Sequence, residues 1–548
     1  MAAKTRTVSV YLLRDHIKTP PDALLSLPSE LDQYQVAAIS KQTTLYVART
    51  PSRPPEWAGL FDGATDRVLS VSRPSYSAAM FLSAEKRMFA LTFGAGGRFM
   101  LRNGSYERNF GLHVARNLVD PEQIRSVQSR RFSGAALQVR RQSSRESDIY
   151  QLDMDTQRDM LTTLQGTIIE GESGKSLSGR DAVRFTDSID IRRLLPICRQ
   201  LLKASRSNAY KKRYPWADQF EQITGETEIA KLDDEALTLL LEGKLDRFDV
   251  YPAEMVDEAV IDYGLDAGAT TTVMEPTRTL LGKLIERTQA KSPEQLGDVL
   301  RGRQITARND EGIPVGRWSW WECLFYESRG ANSIDVLDRG VWLRVRKDFA
   351  ETINSFAASL TPSGLSLPDA KRTDLEDDYN KRVARQRPDI QLLDKKLVAP
   401  IPGESRVEIC DLYSQQGHLV HVKRAKGGSS GFSHLFGQAS VSCRLLAEEP
   451  AFAAAVREQI GSWATSVKQP PDASDHPVVL AVMLAAESTG AGAAGLPFFS
   501  KIFLRQAVQD IKRMGYPVHY DEIPAPVTVT TGQRAGGPKP AQRRRRKP

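Results

Sequence analysis

Apolar residues change their period along the chain, and each period predicts a kind of element. Near the N-terminus they alternate, in VSVYLL (8–13) and TTLYVA (43–48), as half-buried strands do. The stretch SAAMFLSAEKRMFALTFGAGGRFML (77–101) reads as a hairpin, two β-type runs around a polar turn at Ser83–Lys86. With ALQVRR (136–141) and DIYQLDM (148–154), these predict a mainly β or α+β domain over 1–170. From 187 to 300 the spacing becomes i, i+3, i+4, in RRLLPICRQLLKA, DDEALTLLLEG, EPTRTLLGKLIERT and PEQLGDVLRG. Residues 171–370 are therefore expected to be a helical middle region. WSWWECLFY (318–326) and GVWLRVRKD (340–348) place a small β unit within it, at 300–348. Trp318, Trp320 and Trp321 fit a base-stacking platform or, more commonly, a sheet core.

The C-terminal part alternates helix and strand. DLEDDYNKRVARQ (374–386) is a helix stopped by Pro388. Strand candidates follow at 390–398, 406–414 and 417–425, then a helix at 433–449, a strand at 476–485, a helix at 498–515 and a strand at 516–524. This α-β-β-β-α-β-α-β order predicts an α/β domain over 371–526, and the whole chain is an α+β multidomain protein.

Charge sharpens the picture locally. Of 548 residues, 75 are Lys or Arg and 67 Asp or Glu, a net +8, but seven of the excess positive charges lie after Ile523. Residues 527–548, rich in Pro, Gly and Arg, are expected to be a disordered basic tail. The body is nearly neutral yet segregated: Arg192, Arg193, Lys203, Arg206, Lys211, Lys212 and Arg213 lie in a stretch without acids. Such a cluster supplies phosphate contacts if it shares one surface, and is otherwise a solvated helix face. No apolar run approaches the ~20 residues of a bilayer span, and the first residues show no secretory pattern. Four scattered cysteines imply neither zinc site nor disulfide framework. A cytoplasmic protein with no membrane partner is expected.

Candidate chemistry concentrates at one predicted hairpin. Asp411 on its first strand lies almost opposite His421 on its second, which shares a face with Lys423. The parity of the connecting loop decides whether Asp411 joins that face. Glu376 is available from the preceding helix and Gln438 from the following one. Asp411 and Glu376 suit Mg²⁺, and a histidine ligand favours Mn²⁺. Lys423 suits a developing phosphate charge, which Gln438 would support. Elsewhere, GESGKS (171–176) ends like a phosphate loop but lacks its first glycine, so Lys175 is a weak nucleotide candidate. His434 beside Ser433 lacks a nucleophile elbow.

Two resemblances add to this reading. FALTFGAGGRFML, YERNFGLHVARNL, YKKRYPWADQ, EDDYNKRVA, ICDLYSQQGHLVHVKRAKGGSSGFSHLFGQASVS and LPFFSKIFLRQAV look like a family of sporadically distributed bacterial proteins, over residues 8–522. That family is a domain of unknown function found near restriction and phage-defence genes. Residues 371–485 resemble the PD-(D/E)XK nuclease fold, a restriction-endonuclease-like αβββαβ core. The resemblance puts Asp411 at the metal-binding aspartate, Lys423 at the motif lysine, Glu376 at a first-helix acid and Gln438 at a following-helix glutamine. His421 stands where that pattern has an acid. Together they imply an antiphage defence protein that cleaves foreign DNA with Mg²⁺ or Mn²⁺. The alternative is a non-catalytic nucleic-acid-binding or phage-sensing protein with a degenerate nuclease fold. DNA is the expected partner, with other defence-system subunits, a phage component and self-association left open.

Overall fold

The computed structural model describes residues 5–526 apart from 51–63, 65–74, 95, 134, 157–158, 170–175, 255, 257–259, 266–271, 311, 313, 331–332, 372–373, 399–406, 426–429, 462–472 and 486–487. Lys175, the basic tail from residue 527 and the side chains of Ser433 and His434 lie outside the described residues. The fold mixes helices with several sheets and divides into two units. One comprises residues 1–356, 426–434 and 497–506, the other 357–425, 435–496 and 507–548.

Alternation builds the first unit. Ten antiparallel strands form one sheet, in the order 32–35, 44–50, 75–84, 87–93, 6–12, 183–187, 176–179, 159–168, 119–133 and 135–147. The hairpin at its heart pairs Ser83 with Met88 and Ala84 with Arg87. Its two turn residues, Glu85 and Lys86, both take positive φ (48° and 63°), the twist that suits a two-residue connection. Every second residue (Val8, Val10, Leu91, Val127, Leu164, Leu177, Val183) joins one core with the helices Phe110–Leu118 and Leu194–Ser205. The sheet continues past residue 170 to Asp187, because two short segments there gain strand partners on both sides.

The middle region differs from a helical block with a separate β unit. The helices Glu226–Leu241, Arg278–Thr288 and Pro293–Gly302 form. The strands of 300–348, however, recruit partners from 220–273, giving one five-stranded and one four-stranded sheet. Trp318, Trp320 and Trp321 are all buried in this core, so none offers a ring face to a base.

The elements from Glu376 onward, most of which make up the second unit while the helices starting at Ser430 and Phe498 begin in segments of the first, are numbered on their own. They are α1 (Glu376–Gln386), β1 (Ile390–Leu392), β2 (Leu397–Val398), β3 (Val407–Glu408), β4 (Leu412–Ser414), β5 (Leu419–Arg424), α2 (Ser430–Glu448), α3 (Pro450–Ile460), β6 (Val478–Ala485), α4 (Phe498–Arg513) and β7 (Val518–Ala525). The sheet order is β1-β4-β5-β6-β7, antiparallel up to β5 and parallel from β5 to β7. Helices bridge the parallel steps, as the length of such a crossover requires. Val420 and Val422 of β5 pack with Tyr379 and Val383 of α1, which fixes α1 across the β4–β5 hairpin. No helix among the described residues is long and apolar enough to cross a membrane.

Candidate metal centre

Three carboxylates meet where β4 begins: oxygens of Asp394, Glu408 and Asp411 lie within 4.8 Å of one another. Each is delivered by an interruption of regular strand. After β1 the chain turns at Asp394, with Lys395 at a left-handed φ of 64°. Glu408 ends β3, and residues 409–411 leave the ladder before β4 starts. Backbone bonds hold Asp411 in place. Its N–H donates to Val420 O at 3.0 Å, and its carbonyl accepts the N–H groups of Leu393 and Asp394, each at 2.9 Å. Its carboxylate accepts the Val422 N–H at 2.7 Å, so the side chain does the work of a ladder carbonyl.

Neighbouring amides orient the other two. Asn380 Nδ2 on α1 donates to Asp394 at 3.4 Å, and Gln438 Nε2 on α2 donates to Glu408 at 3.0 Å. The Lys395 N–H also donates to Glu408. Glu376, the first residue of α1, is engaged differently. Lys423 Nζ lies 2.9 Å from one of its oxygens, and the Arg424 N–H donates to the other at 3.2 Å.

Electrostatics follows from this crowding. Burial pushes the Asp411 carboxyl up to about 7, and the charges of Glu408, Asp394 and Glu376 push the same way against the Val422 hydrogen bond. Glu408 is raised too, first by burial. Three clustered carboxylates, with Asp411 and Glu408 both raised, are a fit for a hard divalent cation, Mg²⁺ or Mn²⁺.

The sequence-derived residues therefore separate into groups. Asp411 lies in the carboxylate cluster, Gln438 supports it, and Glu376 pairs with Lys423. His421 stands apart. The paired register, Tyr413–Leu419 and Leu412–Val420, stops at Leu412, and the Asp411 N–H bonds to Val420 O, so Asp411 leaves the ladder before it would face His421. The imidazole is fully buried, neither ring nitrogen has a hydrogen-bond partner among the described residues, and burial pushes its pKa down to about 4. It is neutral at neutral pH and is not among the clustered ligands.

Asp394 and Glu408 are the residues that sequence reasoning missed. Treated as unbroken strands, 390–398 and 406–414 point Glu408 away from Asp411 by alternation. The signal available was the pair itself, Glu408 and Asp411 three residues apart, flanking a point where the strand breaks.

The basic cluster is partly a surface. Arg192, Arg193, Lys203, Arg206, Lys211 and Lys212 are exposed. Lys211 pairs with Asp218 at 3.3 Å, and the half-buried Arg213 donates to the carbonyl of Asn117 at 2.9 Å. Arg213 thus has a structural partner.

No curated protein and no solved structure matches the chain. A single family description covers residues 8–524, nearly the whole length. The chain belongs to that family of unknown function, DUF6119.

Proposed function

We propose that this protein is a divalent-metal-dependent nuclease acting on foreign DNA in antiphage defence. The observation that carries the reading is the convergence of Asp394, Glu408 and Asp411 within 4.8 Å, in a unit that also pairs Lys423 with Glu376. The order α1-β1-β4-β5-α2-β6, interrupted by the short β2–β3 pair and by α3, with the lysine on β5, supports a PD-(D/E)XK-like core.

In this reading Asp411, Glu408 and Asp394 hold Mg²⁺ or Mn²⁺, and Glu408 takes the place of the acid that the pattern would put at His421. When bound, the cation supplies Lewis-acid neutralisation of the phosphate and a more acidic water. The chain's own groups do the rest. Gln438 and Asn380 keep two carboxylates aimed by hydrogen bonds of 3.0 and 3.4 Å. Glu376 positions the Lys423 ammonium, which binds a phosphate oxygen as negative charge develops. The defence setting and the cytoplasmic location rest on the family resemblance of the long motifs and on composition. The test is incubation with plasmid and linear DNA in Mg²⁺ or Mn²⁺, comparing wild type with Asp411→Ala and Lys423→Ala. Wild type should cleave, and both variants should lose cleavage while keeping DNA binding. Equal cleavage by all three would overturn the assignment of these residues, and binding without cleavage by any would overturn the catalytic reading in favour of a sensing role.

A further inference from the structure

The ten-stranded sheet of the first unit has a second face, which carries a smaller core of its own around Tyr11, Ala79, Phe81 and Ala90 and, beside it, a polar row. Across six consecutive strands the register aligns Thr92, Ser9, Arg184, Ser178, Gln165 and Ser126 in one row. Their chain neighbours Leu91, Val8, Val10, Val183, Leu177, Leu164 and Val127 all point into the core. Strand alternation therefore puts the polar row on the opposite face. At ~4.8 Å between strands, the row is about 24 Å long.

This row forms the floor of two cavities. One of about 600 Å³ contains Thr92, Ser9, Arg184 and Ser178 in its lining. The second, of about 470 Å³, is lined by Gln165 and Ser126 and shares Arg184, Ser178, Gln128 and Thr163 with the first. None of the six row side chains makes a hydrogen bond or ion pair with another described residue. A folded protein rarely lines a cavity with so many unengaged donors and acceptors unless water or a ligand meets them.

The charge is asymmetric. Four arginines (Arg98, Arg140, Arg180 and Arg184) line the combined space against two carboxylates, Asp181 and Glu254. Both carboxylates are already paired: Glu254 with Arg98 at 2.6 Å, and Asp181 with Arg108 at 2.7 Å. Arg184, exposed at the junction of the two cavities, has no ion pair among the described residues.

We infer that this face binds a single strand of nucleic acid through its sugar-phosphate backbone. Arginine, hydroxyl and side-chain amide are the groups that contact phosphate and sugar. A floor about 24 Å long exceeds a mononucleotide and matches a site of a few nucleotides. Val256 and Val315 add walls from outside the ten-stranded sheet, which favours one strand over a duplex. The inference is independent of the carboxylate cluster, because binding can be read with metal removed.

The experiment is fluorescence anisotropy of labelled oligothymidylate with the full-length protein in EDTA, across a salt series. Arg184→Glu should weaken binding about tenfold or more at low salt, and Arg184→Gln should lower the salt slope by about 0.7. Gln165→Glu, a second charge on the same floor, should weaken binding as well. Arg184 is exposed, so melting temperatures should be unchanged. Wild-type affinity in both Arg184→Glu and Gln165→Glu, no binding by wild type, or equal affinity for a duplex would overturn the inference.

Discussion

Replacing Asp411 by asparagine should stabilise the metal-free protein at pH 8 and abolish its response to divalent cations. The asparagine keeps an acceptor for the Val422 N–H, 2.7 Å away, and removes the charge. The carboxyl is raised in the fold to about 7, by burial first and by its acidic neighbours second. Its contribution to stability is therefore fully present below the unfolded value of ~3.9 and is lost as pH rises through about 7. Between pH 5 and pH 8 a group with these two values loses about 2–3 kcal/mol of stability. Glu408, raised in the same direction, steepens the loss. Urea unfolding followed by far-ultraviolet circular dichroism is the assay. In EDTA the wild type should weaken from pH 5 to pH 8, and Asp411→Asn should weaken much less. Adding Mg²⁺ at pH 8 should restore the wild type alone. Parallel pH profiles for the two proteins would refute the reasoning, since they would mean that Asp411 carries no excess charge cost.

Further outcomes follow from the same geometry. Calorimetric Mn²⁺ affinity should fall about tenfold from pH 8 to pH 6, because Asp411 must lose its proton to bind; a flat profile would contradict the assignment. His421→Leu removes two buried ring nitrogens that have no partner among the described residues, so it should stabilise the protein by about 1 kcal/mol in urea unfolding. A clear loss of stability would mean that the imidazole has a partner. Glu254→Gln breaks a buried pair with Arg98 at 2.6 Å and should cost about 3 kcal/mol. Thermal unfolding reads this directly, and an unchanged midpoint would refute it.

Sequence pattern was most legible where local periodicity and burial agree. The 77–93 hairpin, the helices between 226 and 302, and several of the helices and strands after residue 374 follow from apolar spacing. It was least legible where partners are distant in sequence. The strands at 220–222, 248–250 and 262–265 exist because strands of 304–345 accept them. Helix Pro450–Ile460, rich in alanine, carries too weak an apolar stripe to stand out. At the carboxylate cluster Asp411, Lys423, Glu376 and Gln438 were legible as a constellation, but the pairing within it was not. A three-residue break after Glu408, at 409–411, overrides the alternation that would have separated it from Asp411. His421 shows the converse: its spacing from Lys423 suggested a ligand, while its surroundings make it a neutral, enclosed ring.

The most direct test sets Glu408→Gln against His421→Leu in plasmid cleavage with Mn²⁺. If Asp394, Glu408 and Asp411 hold the metal, Glu408→Gln should abolish cleavage and His421→Leu should retain it at close to the wild-type rate. Loss of cleavage in a folded His421→Leu with full activity in Glu408→Gln would contradict the account and return the metal to the β5 position that the motif would give it.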